Sequence, residues 1–70
     1  MQIELRLRGA ADRLVAVAFE GFDVSIDDTE TVIRGGARDE TEALGLIERA
    51  RSLGFVVVSW RSVDPGPLAG

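Results

Sequence analysis

The chain opens on strict alternation. In residues 2–8, QIELRLR, Ile3, Leu5 and Leu7 fall on one side and Glu4, Arg6 and Arg8 on the other, the period of a half-buried strand with one wet face. Across residues 9–22 the period lengthens: Ala11, Leu14, Val15 and Ala18 recur at helical spacing. Phe19 sits near the edge of that apolar face, and Gly21 supplies a left-handed stop. Alternation returns with Phe22, Val24 and Ile26, the polar residues Asp27 to Glu30 make a turn, and TVIR at residues 31–34 resumes as a strand. These two strands form a hairpin.

From Asp39 to Leu53 the pattern is helical again, with Ala43, Leu46, Ile47, Ala50 and Leu53 on one stripe and Leu44 beside it. Asp39 and Glu42 fit an acidic capping box, and Gly54 follows the last periodic residue as a stop. Residues 55–63, FVVVSWRSV, are rich in β-branched and aromatic side chains and predict a final strand. Residues 64–70, DPGPLAG, have no periodicity and contain Pro65 and Pro67. They read as a flexible tail after a single domain of residues 1–63.

The order is therefore strand, helix, strand, strand, helix, strand. A weak duplication agrees with it: Arg8-Gly9 corresponds to Arg34-Gly35, and Gly21-Phe22-x-Val24 to Gly54-Phe55-x-Val57, with the second helix about two turns longer. Two interleaved halves with right-handed crossovers give an α+β, ferredoxin-like βαββαβ sandwich. Its antiparallel sheet has the order 4-1-3-2, with both helices on one face.

The whole pattern resembles the ACT-like regulatory domains. That resemblance implies amino-acid or other small-metabolite binding at glycine-containing strand-to-helix turns, here Gly9, Gly35 and Gly36. Residues 32–53, VIRGGARDETEALGLIERARSL, are similar to a segment of short, free-standing actinobacterial proteins of unassigned function. The shared features are a strand ending in Arg-Gly, an acid, and a helix with an alanine-leucine-x-glycine-leucine word, here Ala43, Leu44, Gly45 and Leu46 with the intervening position missing. This likeness implies the fold and brings no catalytic residue.

Composition narrows the chemistry. Seventy residues bury only about 60% of the surface an unfolded chain exposes, so support from a partner is expected. Cysteine and histidine are absent and all eight cations are arginine. That inventory removes disulfides, thiolate and imidazole chemistry, Schiff bases and the lysine of a phosphate-binding loop. Gly35-Gly36 accordingly reads as a strand-to-helix joint needing positive φ, not as a phosphate cradle: the helix that follows starts with Asp39, Glu40 and Glu42, which oppose an anion. The acids Asp23, Asp27, Asp28 and Glu30 read as a solvated turn, with no metal or other cofactor assigned. The chain has no signal-peptide pattern and no run long enough to span a bilayer, which gives a cytoplasmic expectation without membrane contact.

The net charge of −4 disfavours nucleic acid. An RNA-recognition sheet also needs exposed aromatics on its central strands, which here have none. Arg6, Arg8 and Arg34 fall on the outer sheet face, with Glu4 and Glu30 as cross-strand partners. On the last strand, Phe55 and Val57 pointing inward would leave Val56, Val58 and Trp60 as an apolar stripe on an edge. A bulge would instead turn Val58 and Trp60 inward. The expectation is a non-enzymatic module that self-associates, as a homodimer, or binds a protein partner through this strand and the open sheet face. The alternative is an ACT-like domain holding a small molecule at Gly9, Gly35 and Gly36.

Overall fold

The computed structural model describes residues 1–10 and 13–63. Ala11, expected on the first helical stripe, and the expected tail at residues 64–70 lie outside the described residues. The elements follow the predicted order: β1 Gln2–Arg8, α1 Arg13–Ala18, β2 Asp23–Asp27, β3 Glu30–Gly36, α2 Glu40–Ser52 and β4 Val57–Ser62. They form a four-stranded antiparallel sheet in the order β2-β3-β1-β4. This is the ferredoxin-like arrangement, with β1 and β3 central and β2 and β4 at the edges.

The pleat divides the sheet cleanly. Ile3, Leu5 and Leu7 of β1 and Ile33 of β3 point into one buried core with Val15 of α1 and Ala43, Leu46, Ile47 and Ala50 of α2. Each fully buried large aliphatic is worth about 1.5–3 kcal/mol. That packing, and not intrinsic propensity, holds α1, because a six-residue helix is not stable alone. Phe19, just beyond α1, is 1% exposed and belongs to the centre of the core, whereas Leu14 is 53% exposed. The apolar face of α1 is thus rotated from the predicted stripe.

Arg49 of α2 ties the helices together. Its Nη1 donates to the Ala18 carbonyl at 3.2 Å, at the end of α1, and its guanidinium lies 6.0 Å from the Phe19 ring centroid. A cation at a helix C-terminus meets carbonyls that have no partner within the helix.

Both ends of α2 are built as the sequence indicates, with one change. Asp39 Oδ1 accepts from the Glu42 N–H at 2.9 Å. The return contact of a capping box is displaced by one residue: Glu42 Oε1 accepts from the Arg38 N–H at 3.2 Å and Oε2 from Arg38 Nε at 2.8 Å. At the other end, Gly54 at φ +92° lets its N–H reach the Arg51 carbonyl and lets the Phe55 N–H reach Ala50. This pair of bonds is the Schellman closure. Leu44 and Leu53, expected on or beside the stripe, are exposed.

The two Arg-Gly words are not equivalent joints. Gly9 has φ +92° and turns the chain after β1, but Gly35 and Gly36 lie inside β3 and neither has positive φ. The requirement at Gly35 is steric: a Cβ there would overlap the ring of Phe22. The expectation of a left-handed joint at Gly35-Gly36 is thereby corrected.

In β4 the register against β1 slips between Arg6 and Leu7, so Ser59 pairs with Arg6 while Val57 pairs with Leu7. Val58 is the extra residue of this bulge. The slip puts Val57 and Trp60, residues of opposite parity, on the same helix-covered side, and both pack against the core together with Phe55. The apolar outward stripe through Trp60 is corrected accordingly. Val56 and Val58 are exposed.

Candidate functional site

The face of the sheet away from the core is a charged lattice. Strand pairing sets Asp23, Arg34, Glu4 and Arg61 in one row across β2, β3, β1 and β4. A parallel row near the other end runs Asp27, Glu30, Arg8, and then Val56, whose carbonyl accepts from the Arg8 N–H at 2.9 Å. Between them lie Ser25, Val32, Arg6 and Ser59. Four carboxylates, Glu4, Asp23, Asp27 and Glu30, balance four guanidiniums, Arg6, Arg8, Arg34 and Arg61.

Glu4 anchors this lattice and is only 3% exposed. Its Oε2 accepts from Arg34 Nε at 2.9 Å and its Oε1 from Arg6 Nε at 3.1 Å, while Arg61 Nε lies 3.5 Å from Oε1. The bond from Arg34 is the largest influence holding its carboxyl down, to about 2; burial opposes it, and Arg6 and Arg61 add to it. A buried carboxylate persists because arginines on both flanking strands and two residues along its own strand satisfy it.

Arg6 carries the lattice onward. Its Nη1 donates to Asp27 Oδ2 at 3.0 Å and Glu30 Oε1 at 3.2 Å, and these bonds, with Glu4, raise its already high pKa. Arg34 and Arg61 keep side-chain exposures of 55% and 67%. Each is oriented through Nε by Glu4 and displays the rest of its guanidinium to solvent. Asp23 is exposed and, among the described residues, has no ion-pair partner, although Arg34 is its neighbour in the row.

β4 borders this face as an edge strand. Val63 N–H donates to the Gln2 carbonyl at 2.8 Å, so by antiparallel alternation Trp60 and Ser62 turn their backbone groups away from β1. Val56 and Val58 flank that edge, which is unpaired among the described residues, at 52% and 44% exposure. Of the three residues expected at an interface, these two are brought to the accessible rim, and Trp60 is half-buried against the core.

The glycine turns are not brought together. Gly9 lies beside the hairpin, its N–H donating to the Thr29 carbonyl and its carbonyl accepting from Thr31 Oγ1. Gly35 and Gly36 pair with Ile3 and Gln2 at the opposite end of β1. Among the described residues no three potential ligands converge as a metal site, and Asp27 and Glu30 share Arg6 instead. No helix among them is long and apolar enough to cross a membrane.

Residues 2–61 match the family described as Domain of unknown function (DUF8691). The chain belongs to that family. No curated protein and no solved structure matches it. The DUF8691 match spans all four strands to within one residue of the end of β4, so the charged face lies inside the family domain.

Sequence reading anticipated the outward arginines and Glu4 as a partner. The burial of Glu4 and the place of Asp23 in the charged row were not legible there. The signal for Glu4 was an acid flanked along its own strand by Arg6, with Arg34 and Arg61 on other strands; the signal for Asp23 required the hairpin register.

Proposed function

We propose that this DUF8691 domain works by association, through the surface formed by edge strand β4 and the open sheet face, and performs no chemistry of its own. The observation that carries this reading is the outer edge of β4, which pairs with no strand among the described residues, with Val56 and Val58 exposed beside a sheet face that no described helix covers. Unpaired edges with apolar side chains are templates for another chain. A small domain also gains support that its own limited core does not supply. The absence of cysteine, histidine and lysine supports a binding role over catalysis, and the reading places the domain in the cytoplasm as a homo-oligomer.

The ACT-like alternative, a metabolite at Gly9, Gly35 and Gly36, receives less support, because these glycines sit at opposite ends of the β1–β3 ladder. Backbone NMR during serial dilution tests the association reading. Concentration-dependent shifts at residues 56–62 and along the charged rows are expected. Shifts confined to α1 and α2, or none at millimolar concentration, would refute it.

A further inference from the structure

Association leaves open what covers the charged face and in which orientation. The decisive feature is the order of charge in the row Asp23, Arg34, Glu4, Arg61, which alternates from β2 to β4. Reversed and laid over itself, this row sets acid on arginine at every position. The second row matches at its centre: reversing Asp27, Glu30, Arg8, Val56 sets Glu30 on Arg8, with Asp27 over Val56 at the ends and no like charges opposed.

One symmetry operation performs that reversal. A two-fold axis in the interface and parallel to the strands keeps strand direction and exchanges β2 with β4. An axis across the strands is poorer: it sets Arg34 on Glu30 and Glu4 on Arg8 but opposes Asp23 to Asp27 of the partner subunit at both ends. Edge-to-edge pairing of β2 with itself fails in the same way, and like charges directly opposite are destabilising. Closed two-fold contacts of this self-complementary kind are the commonest form of homo-oligomer.

We propose that the open face binds a second copy of this chain face to face, about a two-fold axis parallel to the strands, with Asp23 meeting the partner subunit's Arg61 and Arg8 meeting the partner subunit's Glu30. This rests on the association reading and specifies its partner. The charge distribution favours it: among the described residues the four acids and four arginines of this face cancel, so a net charge of −4 on the chain does not translate into repulsion between these rows. Sheets stacked face to face lie about 10 Å apart and within about 30° of alignment, which preserves the central rows. Arg61, oriented by Glu4, and Asp23, which has no ion-pair partner among the described residues, are the groups held ready for this contact.

A charge swap tests it, read by sedimentation equilibrium at low salt with thermal unfolding as the control for folding. Asp23→Arg and Arg61→Asp are each expected to weaken self-association about tenfold or more, since the symmetry counts every repulsion twice. Mixing the two variants, or combining them in one chain, restores it. Asp23→Asn and Arg61→Gln give smaller losses in the same direction and serve if a reversal compromises folding. Association that survives both single swaps would overturn the face-to-face arrangement while leaving the association reading standing. A wild type that never associates would overturn both.

Discussion

Phe22 lies over Gly35, its ring filling the space that a Cβ at position 35 would need. The contact joins the start of the hairpin to β3 beside Ile3, and it explains a glycine in a strand, where the residue is otherwise unfavourable. Gly35→Ala is expected to destabilise the domain by about 1–3 kcal/mol through overpacking. Gly36→Ala, whose Cβ would sit 3.5 Å from Gln2 Nε2, is expected to cost less than Gly35→Ala. In chemical denaturation, Phe22→Leu should recover part of the Gly35→Ala loss; full additivity of the two changes would contradict the contact.

Gly45 has the opposite environment. It lies exposed within α2 with open space where a Cβ would go. Gly45→Ala is expected to stabilise the domain by about 0.5–1 kcal/mol, the helix-propensity difference. A higher thermal midpoint is the measurement, and a lower one would point to a contact that the structure lacks.

Glu4 gives the fold an acid dependence of determined sign. Its folded pKa is depressed to about 2, so its contribution is fully present above the ordinary carboxylate range. It declines as pH falls below about 4.5 and is lost as pH passes through about 2. Glu4→Gln is expected to cost about 1–3 kcal/mol at neutral pH, the scale for a hydrogen-bonded buried charge. Between pH 5 and 2, stability of the variant should fall less steeply than that of the wild type. Parallel curves would refute the assignment.

Trp60 belongs to the fold more than to its rim. Packed against the core opposite Leu5, it is expected to cost about 2–4 kcal/mol when replaced by Ala. Val58→Ala, at the exposed bulge position, should cost under about 1 kcal/mol. Equal effects in urea denaturation would contradict the bulge.

The order of elements along the chain, the hairpin and the stop signals at Gly21 and Gly54 were legible because period and turn chemistry are local properties. Trp60 was not, since a bulge changes face without altering composition. Leu14 and Phe19 exchanged roles because six residues of α1 contain too few turns to define an apolar stripe. The outward arginines of β1 could be read directly, but the alternating row depends on register across three strand pairs, which no single strand encodes. Gly35 looked like a joint because its neighbours repeat those of Gly9; only the position of Phe22 distinguishes a steric requirement from a conformational one.

Association itself is tested most directly by the solution mass of the wild type across a dilution series, from micromolar to millimolar, at low and at high salt. An apparent mass that rises from 7.5 kDa toward twice that value with concentration is expected, and the proposed ionic face-to-face contact adds a shift of that rise to higher concentration with salt. A mass fixed at 7.5 kDa throughout the series would contradict it.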